Sequence, residues 1–121
     1  MNLYFYAFIF AAVILGFHIE GLNGLYLGVT GYDIFMHILG GMGIGLLLAG
    51  LIRSLRPGMA RPRTAIILGV LLVGLGWELF EIYYDLIGYP FGTTPYYIDT
   101  VKDLIDDMIG GALVAHIFFR R

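Results

Sequence analysis

Four long apolar stretches, parted by short polar ones, run the length of the chain: roughly Asn2 to Ile19, Tyr32 to Ile52, Thr64 to Ile87 and Ile98 to Phe119. Each is near the ~20 residues that an α-helix needs to cross a hydrocarbon core. The runs are continuous rather than alternating, and backbone exposed to lipid must satisfy its own hydrogen bonds, so helix is the expected state throughout. The connections, Glu20–Gly31, Arg53–Arg63 and Gly88–Tyr97, are short. The pattern therefore predicts an all-α, integral membrane four-helix bundle, a single transmembrane domain over residues 1–121. The first stretch reads as a span rather than a cleaved signal, because no Lys or Arg precedes it and no small-x-small pattern follows it.

The polar residues that interrupt these runs are not scattered. Asp33 and His37 lie one turn apart on the second helix, and Glu78, Glu81 and Asp85 fall on one face of the third. Asp99, Asp103, Asp106 and Asp107 occupy one face of the fourth. At about 100° per residue, the third helix gathers its acids within roughly 60° and the fourth within roughly 100°. With ~1.5 Å of rise per residue, His37, Glu81 and Asp106 should share one depth, about 6–12 Å below the helix ends. A charge held in hydrocarbon costs at least ~2.5–3.5 kcal/mol, so these faces should turn inward toward one another. Gly40, Gly41, Gly45, Gly74, Gly110 and Gly111, beside the acids, would permit close helix approach.

Composition agrees with a membrane class: the 121 residues are 60% hydrophobic and 13% charged, against about 25% charged in soluble domains. The absence of cysteine excludes disulfides, thiolate metal sites and a cysteine nucleophile. A net charge of −2 says little as a sum, but its distribution orients the chain. Arg53, Arg56, Arg61 and Arg63 crowd the middle connection, and Arg120 and Arg121 end the chain; Lys102 alone lies elsewhere. The positive-inside rule then predicts both termini in the cytoplasm and a multi-pass protein of the cell membrane. All nine acids, Glu20 included, fall on the opposite, outer side. The bilayer is the expected partner, and no nucleic acid is.

Plainer roles compete for several of these residues. Thr30 with Asp33 resembles a capping box, and Asp99 or Thr100 could cap the fourth helix with Asp103 near its positive dipole end. Capping cannot account for the third helix, where Glu78 and Glu81 lie inside the span and Asp85 nears a C-terminus. Nine acids against Lys102 and a few histidines cannot all be ionised side by side, so either several hold protons or cations sit among them. Oxygen ligands with one imidazole suit Mg²⁺, Mn²⁺, Ca²⁺ or Zn²⁺. The expected metal ligands are Asp33, His37, Glu78, Glu81, Asp85, Asp103, Asp106 and Asp107, with Glu78 or Glu81 as the catalytic base.

Such a site points to metal-dependent hydrolysis or transfer on a lipid or lipid-linked substrate near the outer leaflet, with the aromatic connection Tyr89–Tyr97 as lid or interfacial anchor. The alternatives are a proton- or cation-coupled transport component and a non-enzymatic accessory protein. Transport would require a homo-oligomer, because Ile44–Leu51 and Ala65–Val73 are apolar and close the inner half.

The combination of Asp33 and His37 followed by a glycine pair, Trp77–Glu81 reading WELFE, and Asp99-Thr100, Asp103, Asp107 and Gly110 resembles the VanZ-like superfamily. The likeness spans Asp33 to Gly111 and is nearest to its uncharacterised inner-membrane branch. It departs at Glu81 and Asp107, where many relatives carry glutamine and asparagine. The resemblance implies a multi-pass membrane protein with a shared polar site, linked in some members to glycopeptide resistance; it supplies no reaction.

Overall fold

The computed structural model describes residues 2–84, 86 and 88–120. Among them are four long helices and no strand: α1 (Leu3–Glu20), α2 (Tyr32–Leu55), α3 (Pro62–Tyr84) and α4 (Thr94–Phe118). Three segments, Leu3–Gly28, Tyr32–Leu55 and Pro62–Tyr84, are long and apolar enough to cross a membrane. At 25 residues α4 has the length as well, about 37 Å, but carries Asp99, Lys102, Asp103, Asp106 and Asp107. Its charges are tolerable because they turn toward α2 and α3. The chain is an all-α membrane bundle.

Helix direction alternates, so that α2 and α4 run parallel while α1 and α3 run against them. Tyr4 on α1 bonds Ser54 at the far end of α2, and Phe17 meets Phe35 near its start. Between α3 and α4, Arg63 reaches Phe119 and Glu78 reaches Thr100. The parallel pair is the closest: a Cβ on Gly41 would land on the Asp107 carbonyl, and one on Gly110 on the Ile38 carbonyl. Lipid offers no hydrophobic drive between helices, so this backbone contact, possible only for glycine, is what packing must supply.

Half of the interior is apolar. Leu3, Ala7, Leu46, Ala49, Ile52, Ile66, Val70, Val114 and Ala115 form one core from all four helices, toward the end that carries the arginines. Towards the other end, buried polar groups sit among Tyr32, Met36 and Tyr96: His37, Glu78, Asp103, Asp106 and Asp107. The bundle thus changes from hydrocarbon-like to polar along its axis.

Several boundaries differ from expectation. The first connection is largely helical: α1 continues through a π-helical turn, Gly21–Leu25, and a short turn, Tyr26–Gly28. A 2.8 Å hydrogen bond between His18 Nδ1 and the Tyr26 hydroxyl ties this extension back onto α1. The Thr30–Asp33 capping box does not form. Gly31, left-handed at φ 83°, starts α2 without a side-chain cap, and the Asp33 carboxylate turns to Lys102. Helix α4 starts at Thr94 rather than Ile98, since Pro95 in its first turn favours helical φ and lacks an N–H to satisfy. Asp99 and Thr100 consequently lie inside the helix and cap nothing, and Tyr96 and Tyr97 belong to its first turn rather than to a free lid. Asp85 lies outside the described residues.

Candidate cation site at the acidic end

The site grows from the glycine contact. With Gly41 and Gly110 at backbone distance, the preceding turn of α2 places His37 against α4. Its Nδ1 is 3.2 Å from Asp107 Oδ1, and its Nε2 is 3.6 Å from Asp33 Oδ1 and 3.7 Å from Asp103 Oδ2. When Nδ1 donates to Asp107, Nε2 keeps its lone pair facing Asp33 and Asp103. A carboxylate holding the far nitrogen is the usual way to fix an imidazole as a ligand.

Lys102 enters the same space. Its ammonium donates to Asp33 Oδ2 at 2.8 Å and to Asp103 Oδ1, and lies 3.9 Å from both Asp99 Oδ1 and Asp106 Oδ2. One cation is thus shared by four carboxylates. The arrangement is closed at the bottom and open at the side: Asp103 is only 3% exposed, whereas the Asp33 side chain is 41% exposed.

Glu78 of α3 completes the edge. Its Oε2 accepts from the Thr100 hydroxyl at 2.8 Å, while its Oε1 is shut off from solvent with no hydrogen-bond partner. Asp106 Oδ2 is also enclosed without a hydrogen bond. Six carboxylates (Asp33, Glu78, Asp99, Asp103, Asp106 and Asp107) therefore share two groups able to carry positive charge, His37 and Lys102. A buried carboxylate oxygen without a donor is expensive, roughly 1–3 kcal/mol, so the arrangement has room for further positive charge.

Donor atoms of Asp33, His37 and Asp103, one from each, all lie within 4.8 Å of one another. Ligands at 2.0–2.5 Å around one ion are separated by about 3–5 Å, so the spacing of these three is compatible with a single ion.

The structure distributes the other expected ligands differently. Asp107 orients His37 from behind, Asp106 faces Lys102, and Glu78 sits beside Thr100. Glu81 is held on its own helix, accepting from Trp77 Nε1 at 2.9 Å, within a run of rings that includes His18, Trp77, Phe80 and Tyr84. The cluster is therefore built by α2 and α4, with α3 contributing Glu78 at its margin. Lys102 as the hub, and Asp99 as its neighbour, were not expected. The i+3 and i+4 spacing of Lys102 from Asp99 and to Asp106 was the available signal.

Comparison with curated proteins and with solved structures gives no match. A family model does match the chain from residue 1 to residue 121, and the protein belongs to that family, described as Predicted membrane protein (DUF2238).

Proposed function

We propose that this membrane protein binds a divalent cation at its acidic end through Asp33, His37 and Asp103. The observation that carries the reading is the convergence of these three donors from two helices within 4.8 Å. The unpartnered Oε1 of Glu78 adds to it, since it marks a carboxylate short of positive charge. In this reading the Lys102 ammonium is a resident cation that an arriving ion displaces from Asp33 and Asp103. Two carboxylates and one imidazole suit Mg²⁺, Mn²⁺, Ca²⁺ or Zn²⁺.

The chemistry that fits is hydrolysis or group transfer on a lipid or lipid-linked substrate, with Glu78 placed to take a proton. The exposed apolar face of α4 beside the site supports this class: Tyr97, Ile98, Val101 and Ile105 form it, and Lys102 and Asp106 are at its polar edge. The residues on which the chain resembles the VanZ-like superfamily include Asp33, His37, Glu78 and Asp103, and that resemblance favours a common polar site. The apolar core between this site and the arginines favours access from one end over conduction through a single copy.

Thermal unfolding of the purified protein with each divalent ion, against chelator, tests the proposal. An ion in hundredfold excess over its Kd should stabilise the fold by about 2.7 kcal/mol. Asp103→Asn and His37→Gln should lose that response, and Glu20→Gln should keep it. Melting that tracks pH and ignores every metal would assign the missing positive charge to protons and overturn the proposal. A metal response unchanged in Asp103→Asn would place the ion elsewhere.

A further inference from the structure

The opposite end of the bundle has its own charge imbalance. A cavity of 720 Å³ opens between the end of α2, the connection that follows it, the start of α3 and the end of α4. Arg53, Arg61, Arg63 and Arg120 line it. Among the described residues no carboxylate lies within ion-pair distance of any arginine; every such pair involves His37 or Lys102. The sequence itself has no Asp or Glu between Asp33 and Glu78, nor after Asp107. Among the described residues, then, no acidic side chain supplies counter-charge to this cavity.

Two of the four guanidinium groups are fixed in advance. Arg53 donates to the Phe118 carbonyl at 2.6 Å and lies over the Phe118 and Phe119 rings, 5.5 and 5.4 Å from their centroids. Arg63 grips the Phe119 carbonyl through Nε at 2.9 Å and Nη2 at 2.7 Å. These bonds neutralise the negative end of α4, and a guanidinium has five N–H groups, so both arginines keep donors to spare. Arg120 is steadied by His116, while the Arg61 side chain has no partner among the described residues. Preorganised, forked donors without an internal acid match the three-oxygen geometry of phosphate.

We propose that this cavity binds a phosphate group, carried either by an anionic lipid headgroup or by a free phosphate ester. Its position at the ends of membrane-crossing helices, and the apolar Ile52, Met59 and Phe118 beside the arginines, favour the lipid. The site is separate from the cation site, with the apolar core between the two.

Arg56 provides the control, because it lies on the same connection but does not line the cavity. Delipidated full-length protein would be titrated with phosphatidylglycerol, phosphatidylcholine or inorganic phosphate, reading bound lipid by native mass spectrometry and stability by thermal melting. One phosphatidylglycerol per chain should bind and raise the melting temperature, with phosphatidylcholine doing neither. Arg61→Gln and Arg120→Gln, which break no hydrogen bond to the α4 carbonyls, should each weaken binding about tenfold, and Arg56→Gln should not. The same pattern with inorganic phosphate as well as with phosphatidylglycerol would identify free phosphate as a sufficient ligand and uphold the site. Equal loss in Arg56→Gln would reduce the effect to unspecific surface charge and overturn the proposal. So would the absence of any preference for phosphatidylglycerol over phosphatidylcholine when inorganic phosphate also fails.

Discussion

The two ends of this bundle solve the problem of charge near a membrane in opposite ways. At one end, carboxylates on α2, α3 and α4 point inward and crowd around Lys102 and His37. At the other, the described arginines are exposed, and Arg53 and Arg63 each give part of their donor set to the final carbonyls of α4. Side-chain length explains much of the difference. An arginine at a helix end can lay its stem on apolar surface and deliver its head to carbonyls and water. An aspartate two or three turns into a helix reaches no water from there and must find its partner inside the protein. The acidic end is therefore a specified network, whereas the arginine end is a set of separate anchors around a cavity. A network fails as a unit, and anchors fail singly.

That contrast sets the expected order of mutational damage. The greatest loss should follow Gly41→Val, which drives a side chain into the Asp107 backbone and parts α2 from α4 where the acidic network forms. A cost of about 3 kcal/mol or more is expected, since backbone on both sides leaves nothing to yield. Gly16→Ala, with nothing within 4 Å, should leave melting in detergent nearly unchanged. Similar melting for both variants would mean that the glycine contact does not hold the network together.

Lys102→Met should come next. It strips Asp33 and Asp103 of their shared cation, but Lys102 is about one-third exposed, so the loss should be about 2 kcal/mol, below that of a fully buried pair. Added divalent ion should then restore more stability than it gives the wild type, because no ammonium competes for the carboxylates. Melting curves with and without metal decide this. A smaller ion response in Lys102→Met than in wild type would show that Lys102 supports the ion rather than standing in for it.

The smallest effect should be that of Arg53→Gln. One hydrogen bond to Phe118 and a stack on two rings are lost, worth about 1 kcal/mol together at an exposed site. A loss as large as that of Gly41→Val would erase the distinction between anchors and network.

Much of this was legible from residue order. The four helical runs and the segregation of acids from arginines follow from where apolar stretches stop and which charges flank them. The inward turn of Asp103, Asp106 and Asp107 was expected from the cost of charge in lipid, and all three are buried. Periodicity, however, locates a residue around its own axis and says nothing about which neighbour it meets. Glu78 and Glu81 share a face of α3, yet one reaches across to Thr100 and the other folds back on Trp77. Lys102 was weighed as one charge against nine, and geometry gives it four of them at once. The closeness of α2 and α4 was half visible in Gly41, Gly45, Gly110 and Gly111, which announce a tight contact without naming the partner. The helical extension of α1 was hidden because it depends on a bond between His18 and Tyr26, across the turn it stabilises.

The backbone contact between Gly41 and Gly110 also divides the molecule into stationary and movable parts. Two parallel helices keyed into each other's carbonyls cannot slide or roll without collision, so α2 and α4 form a rigid rail that holds His37, Asp103 and Asp107 at fixed spacing. Helix α1 has no such key. It leans on α2 through side chains, meets α3 where His18 faces Trp77, and ends in a π turn in which Gly24 adopts φ 126°. Helix α3 meets the pair through side chains as well, Val70 against Gly111 and Leu48 against Gly69, so the freedom to shift belongs to α1 and α3 while the ligand-bearing pair stands still.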